Sequence, residues 1–257
     1  MKLFLPTYLL FVGVGVILAL AFPVARHIRD DKLRRQYYLM QVITLIGAVV
    51  GAKLSVLVGD YHWPWTPIHD WQNVVVSGRS ITGALIFGFL FAEIAKPIVG
   101  YIMPPNDRFA ALLPFTIGVG RFGCLTAGCC RGLPYDGWCA MRGVDGVMRY
   151  PTQLFEIIFQ LAIGISFLIM VKRKILFGRL FSFYLIVYGV FRFLTEFIRD
   201  TPKSFGVLSG YQIISLVMIA LGGAFFLKRT LAPPASWEEF REPANGTNRP
   251  ALEVSNV

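Results

Sequence analysis

The stretch LFSFYLIVYGVFRFLTEFIR, residues 180–199, decides what kind of protein this is. From Leu180 to Ile198 it is apolar over roughly the 20 residues a helix needs to cross a bilayer core. Within that run stand Arg192 and Glu196, and Arg199 closes it. An ionisable side chain near the bilayer centre costs about 2.5 to 3.5 kcal/mol on insertion scales, so each one answers to a partner, a wet cavity or a function. Tyr188, Arg192 and Glu196 are spaced by four and share one helix face, with Arg199 three residues further on. A self-satisfied ion pair accounts for Glu196 but leaves two arginines with one carboxylate. An excess of guanidinium suits an anionic group, because its planar fork matches a phosphate bidentately.

Six further stretches have comparable length and polarity: Leu3 to Ala25, Tyr38 to Gly59, Ile81 to Met103, Ala110 to Gly128, Leu154 to Val171 and Val207 to Leu227. Together they predict an all-α, polytopic membrane protein of about seven transmembrane helices. Composition agrees, with 55% hydrophobic and 16% charged residues in a chain of 257 and a mean hydropathy of +0.60. A soluble protein keeps about a quarter of its residues charged. This balance excludes a disordered chain and an ordinary cytosolic enzyme. The net charge of +10 does not mark a nucleic-acid-binding surface either, because the basic residues are scattered between apolar runs.

Lys and Arg also orient the chain. With the N-terminus outside, the inside segments 26–37, 96–109, 172–179 and 228–257 hold fifteen basic residues and the outside segments seven, as the positive-inside rule requires. Leu3 to Ala25 reads as a span rather than a cleaved signal, since its apolar run is long and no small-residue cleavage site precedes Arg26. The expected organisation is a seven-span domain over 1–231 and a disordered cytoplasmic tail over 232–257, rich in Pro, Asn and Glu.

The fourth span carries a second arginine in an apolar setting, in Gly118-Val119-Gly120-Arg121-Phe122-Gly123-Cys124. Its glycines let a helix or ligand approach the backbone closely, and Arg121 with Arg192 makes a pair able to clamp one phosphate. Lys53 and Glu156 are further ionisable candidates. Glu93, beside Lys96 near a boundary, reads as a solvated helix end. Cys124, Cys129, Cys130 and Cys139 lie within sixteen residues at the outer end of this span, in an oxidising compartment under the expected topology. A bridge from Cys129 or Cys130 to Cys139 is the expected arrangement. Their C-x4-C-C-x8-C spacing lacks paired C-x2-C knuckles, so no metal site is assigned, and it lacks the C-x-x-C pair of a thiol relay.

Three strings carry a family resemblance: Gly120-Arg121-Phe122-Gly123, then Tyr150-Pro151-Thr152-Gln153-Leu154-Phe155-Glu156, then Tyr188 to Arg199. The chain resembles the prolipoprotein diacylglyceryl transferases, bacterial inner-membrane enzymes with seven spans, an outside N-terminus and an inside C-terminus. The resemblance implies that the diacylglyceryl group of phosphatidylglycerol moves to the lipobox cysteine of a prolipoprotein signal peptide, releasing glycerol phosphate, with no cofactor. Arg121 and Arg192 would hold the phosphate, with Glu196 orienting Arg192. Glu156, Gln153 and Tyr188 would line the cavity with Arg199, Lys53 and the first-span Tyr8. Membrane lipid and signal peptide are the implied partners.

Three departures accompany it. Family members carry a histidine and two glycines at the start of the third span, proposed as general base, where this chain has Ile81-Thr82-Gly83-Ala84. Thr82 cannot accept a proton as histidine does. Cys124 replaces an asparagine, and Gly51-Ala52-Lys53 replaces Gly-Gly-Arg, keeping the charge but losing the fork. Gly128-Cys129-Cys130-Arg131-Gly132 is similar to a loop of a divergent branch. A non-catalytic phospholipid-binding or lipid-translocating protein and a membrane thiol oxidoreductase are the alternative readings. Reporter fusions at Lys174 and after Leu231 should read cytoplasmic, and a tag between Asp136 and Asp145 should be reachable from outside; the reverse pattern refutes the orientation.

Overall fold

The computed structural model describes residues 31–61, 80–100, 107–203 and 206–232, together with Leu10, Gly13 and Val14. The rest of the stretch Leu3 to Ala25, Tyr8 included, and the tail beyond residue 232 lie outside the described residues. Six described helices are long and apolar enough to cross a membrane: α1 (Asp31–Gly59), α2 (Ile81–Val99), α3 (Asp107–Ala127), α4 (Thr152–Lys172), α5 (Leu180–Thr195, extended by a 3-10 turn over Glu196–Ile198) and α6 (Gly210–Leu231). The protein is an all-α polytopic membrane protein. Many of its apolar side chains, among them Leu45, Val49, Ile98, Ile158 and Ile165, stand on the outside of the helices, as lipid-facing residues do.

Local chemistry sets the ends. In the first turn of α1, Asp31 pairs with Arg34 three residues on. Helix α2 stops at Gly100, whose φ of 72° lets its N–H reach Lys96 O in a left-handed cap that favours glycine. Helix α6 starts at a capping box in which Ser209 and Gln212 satisfy each other's backbone N–H groups, a reciprocal arrangement that uses two otherwise orphaned donors.

The chain forms two compact units. One comprises 1–22, 105–184 and 191–201; the other comprises 23–104, 185–190 and 202–257. In the second unit α1 and α2 pack backbone to backbone. A Cβ on Gly83 would lie 1.9 Å from Ser55 Oγ and 2.2 Å from the Gly51 carbonyl, and one on Gly51 would lie 2.4 Å from the Gly83 carbonyl. Gly47, Gly51 and Ser55 recur every four residues along this seam, facing Phe91, Phe87 and Gly83 of α2, the small-residue spacing that lets helices close in lipid, where association relies on packing rather than on water expulsion.

Glu93 is not the solvated end expected of it. It pairs with Lys96 and, at 2.6 Å, with Arg229 of α6. Arg229 is buried, its guanidinium 5.5 Å from the Phe89 ring centre and 5.7 Å from that of Phe225. The aromatic faces and the carboxylate together satisfy the cation, so this is a structural tie between α2 and α6.

In the first unit, segment 128–151 returns on itself through a short hairpin of β1 (Met141–Arg142) and β2 (Met148–Arg149). Its base is tied to the end of α5 by Leu133 N–H to Ile198 O (2.9 Å) and Asp200 N–H to Arg131 O (3.1 Å). Asp145 binds Arg131 and Arg149 at 2.8 Å each, and the Arg149 hydrogen bond holds its carboxyl below the usual range.

Gly83→Ala forces the α1–α2 seam apart, because the neighbours it meets include backbone; overpacking of this kind costs on the order of 1–3 kcal/mol. Gly223→Ala meets open space. Thermal unfolding in detergent should show the first variant melting several degrees below wild type and the second unchanged; equal melting would refute the close seam.

Candidate active site

The buried charges predicted from separate spans converge in the first unit. Glu156, one turn into α4, receives Arg121 of α3 on one oxygen (Nη2 to Oε1, 2.9 Å) and Arg192 of α5 on the other (Nη1 to Oε2, 3.4 Å). Arg192 also reaches Glu196 (Nη2 to Oε2, 3.3 Å), which is shared with Arg199 (3.4 Å) and accepts a 2.7 Å hydrogen bond from Thr201. Exposure is 0% at Glu196, 2% at Glu156 and 6 to 8% at the three arginines. Both clamp guanidinium groups touch one carboxylate, so they are close enough for direct hydrogen bonds to a single phosphate.

Formally the cluster holds three cations against two carboxylates. Helix geometry explains its shape. Arg192 and Glu196 are one turn apart on α5, and the 3-10 turn at Glu196–Ile198 brings Arg199 back to the same carboxylate. Phe159 and Phe191 stack at 4.1 Å between ring centres, locking α4 against α5 beside it. Five N–H donors per guanidinium exceed what the two carboxylates take up, so the arrangement retains capacity for an anion.

A second group adjoins the first. Cys124 Sγ lies 3.8 Å from Arg121 Nη1, one turn along α3, and the Sγ atoms of Cys124, Cys129 and Cys130 all lie within 4.8 Å of one another. The turn that gathers them is unusual: Gly128 has φ of 67° and Cys130, which carries a side chain, has φ of 60°. Non-glycine residues in this region store about 1 to 3 kcal/mol and persist where surrounding contacts over-determine them. Here Gln153 Nε2 donates to Cys129 O (2.7 Å) and Thr152 Oγ1 to Cys130 O (2.9 Å). Hydrogen bonds from Cys124 and Cys129, backed by Arg199 and Arg121, hold the Cys130 thiol well below its usual range against the opposing effect of burial. Hydrogen bonds with Cys124 and Cys130, together with burial, push the Cys129 thiol up.

Several expectations change. All four cysteines are free, and the residue that joins Cys129 and Cys130 is Cys124 rather than Cys139. The reason is the left-handed turn, which folds the Cys-Cys pair back over the helix end, whereas Cys139 sits by Tyr135 in the segment before β1. No metal site was assigned from the spacing, yet three potential ligand atoms meet. Glu156, read as a cavity-lining residue, is the joint between the two clamp arginines, and Thr201 and Thr152, which the sequence did not single out, fix Glu196 and Cys130. Lys53, Thr82, Gly83 and Tyr188 belong to the second unit. There Thr82 is buried and its hydroxyl lies 2.8 Å from that of Ser80, and Gly83 serves the helix seam. His62 and His69 lie outside the described residues.

Fold and site thus define a polytopic α-helical membrane protein that keeps an excess of guanidinium inside its spans. A model of the prolipoprotein diacylglyceryl transferase family matches residues 2–228, and the chain belongs to that family; it is a transferase. It is 29% identical over 233 residues to phosphatidylglycerol–prolipoprotein diacylglyceryl transferase 2 of Clostridium perfringens, covering 84% of this chain and 88% of that one. It is 30% identical over 244 residues to the phosphatidylglycerol–prolipoprotein diacylglyceryl transferase of Campylobacter hominis, covering 83% and 85%.

Removing Glu156 leaves two buried guanidinium groups without their shared carboxylate, a loss of about 3–5 kcal/mol for a broken buried pair. Glu156→Ala should therefore melt well below wild type in detergent while Asp136→Ala, in the segment before β1, does not. A Glu156→Ala protein as stable as wild type would show that the cluster does not hold the three helices.

Proposed function

We propose that this protein moves the diacylglyceryl group of phosphatidylglycerol to the thiol of a prolipoprotein's lipobox cysteine, releasing glycerol phosphate. The observation that carries the reading is the meeting of Arg121 and Arg192, from two helices, on the one carboxylate of Glu156. Family membership adds support, since the relatives' names state this donor and acceptor. The acceptor thiol releases its proton to solvent, its sulfur bonds to the glyceryl carbon, the carbon–oxygen bond to phosphate breaks, and the electron pair stays on the phosphate oxygen. Preoriented guanidinium donors in a low-dielectric setting stabilise that charge as it develops.

In this reading Arg121 and Arg192 hold the phosphate and Glu196 orients Arg192. Gln153, Glu156, Cys124 and Arg199 bind substrate around them. The chain spans a bacterial inner membrane seven times with its N-terminus outside, over 1–231, and 232–257 is a cytoplasmic tail.

Purified protein given phosphatidylglycerol and a lipobox peptide should release glycerol phosphate. Arg121→Ala and Arg192→Ala should each lower the rate by about a hundredfold to a thousandfold, as loss of one charge-stabilising donor does. Lysine at either position should not restore it, because a point charge replaces the fork. Lipid binding without release would favour the non-catalytic reading, and full activity of Arg192→Ala would overturn the site.

A further inference from the structure

The three-thiol group at the end of α3 has a geometry that phosphate binding alone does not require. The three Sγ atoms lie within 4.8 Å of one another, within about 1 Å of the roughly 3.8 Å spacing that thiolates adopt around one zinc ion at Zn–S of about 2.3 Å. Among the described residues no fourth His, Cys, Asp or Glu joins the group. Three protein ligands with a vacant fourth position mark catalytic rather than structural zinc sites.

The surroundings suit such a site. Zinc with three thiolates carries one net negative charge, and Arg121 Nη1, 3.8 Å from Cys124 Sγ, balances it. The side chains of Gln153 and Thr152 fix the Cys129 and Cys130 carbonyls, and Cys130 holds a left-handed φ of 60°. Outer contacts that orient ligands in this way are part of how metal sites are built. Soft sulfur ligands select zinc or copper(I) over magnesium or calcium.

We propose that Cys124, Cys129 and Cys130 bind a zinc ion whose fourth position takes the acceptor thiol. The binding of metal stands on the geometry; the identity of the fourth ligand rests on the transferase reading above. A thiol that coordinates zinc is deprotonated outright. Its proton goes to solvent, and the sulfur, now a thiolate, forms the carbon–sulfur bond as the phosphate departs. The site thereby supplies the activation that Thr82 cannot, and it sits one helix turn from the guanidinium that holds the leaving group.

Cobalt(II) titration of the full-length protein in detergent, under a non-chelating reductant, tests the metal site. A sulfur-to-cobalt charge-transfer band with tetrahedral d–d bands should saturate at one ion per chain and vanish on adding zinc. Cys124→Ser and Cys130→Ser should weaken binding at least tenfold, and Cys139→Ser should bind as wild type does. No charge-transfer band in wild-type protein, or equal binding by Cys130→Ser, overturns the site without recourse to activity. A lipobox peptide should shift the cobalt spectrum, whereas its cysteine-to-serine counterpart should not. An unshifted spectrum, or undiminished transfer after the metal is stripped by a chelator, overturns the fourth-position role and leaves the transferase reading intact. A metal-loaded protein that binds the peptide yet transfers nothing counts instead against the transferase reading.

Discussion

Two carboxylates inside apolar helices, each shared by two arginines, govern the first unit. A charge in such surroundings is tolerable only with a partner and well-made hydrogen bonds. Glu156 and Glu196 provide that partner to Arg121, Arg192 and Arg199, and in doing so they fix α3, α4 and α5 relative to one another. Hydrophobic residues of similar volume commonly stabilise a fold as well as a buried ion cluster does. Keeping five charges here, with one cation in excess, makes sense when an anion completes the set.

The hairpin region depends on the same cluster. Arg199 serves Glu196 with its side chain and pairs through its backbone with Gly132, so the outer segment is pinned where the charges end. That pinning brings Cys129 and Cys130 back over the end of α3 beside Cys124. The arginine cluster and a group rich in thiols are then neighbours along one helix, with Arg121 and Cys124 three residues apart.

The second unit shows what buried charge looks like when it has a structural purpose. Arg229 lies between two phenylalanine rings with Glu93 against it, beside Lys96, which pairs with the same carboxylate. Its helices otherwise close through a row of small residues, where the backbone itself is the packing surface. Gly83 illustrates the difference, since the carbonyl of Gly51 and the hydroxyl of Ser55 occupy the space a side chain would need.

Length, polarity and charge placement along the chain were enough for the class of fold, because a bilayer imposes one requirement, a long apolar helix, that is visible residue by residue. The same holds for Arg121, Arg192 and Glu196: ionisable groups in apolar runs stand out without any knowledge of contacts, and the four-residue spacing of Arg192 and Glu196 already puts them on one face. What the chain order did not reveal is which carboxylate joins which arginines. Glu156 is 35 residues from Arg121 and 36 from Arg192, and only the packing of α3, α4 and α5 makes it the shared partner. Glu93 looked like a helix end because its partner Arg229 is distant in sequence. The cysteines were misleading for a related reason: spacing measures chain length, whereas left-handed backbone at Gly128 and Cys130 folds the chain back within one turn and decides which thiols meet.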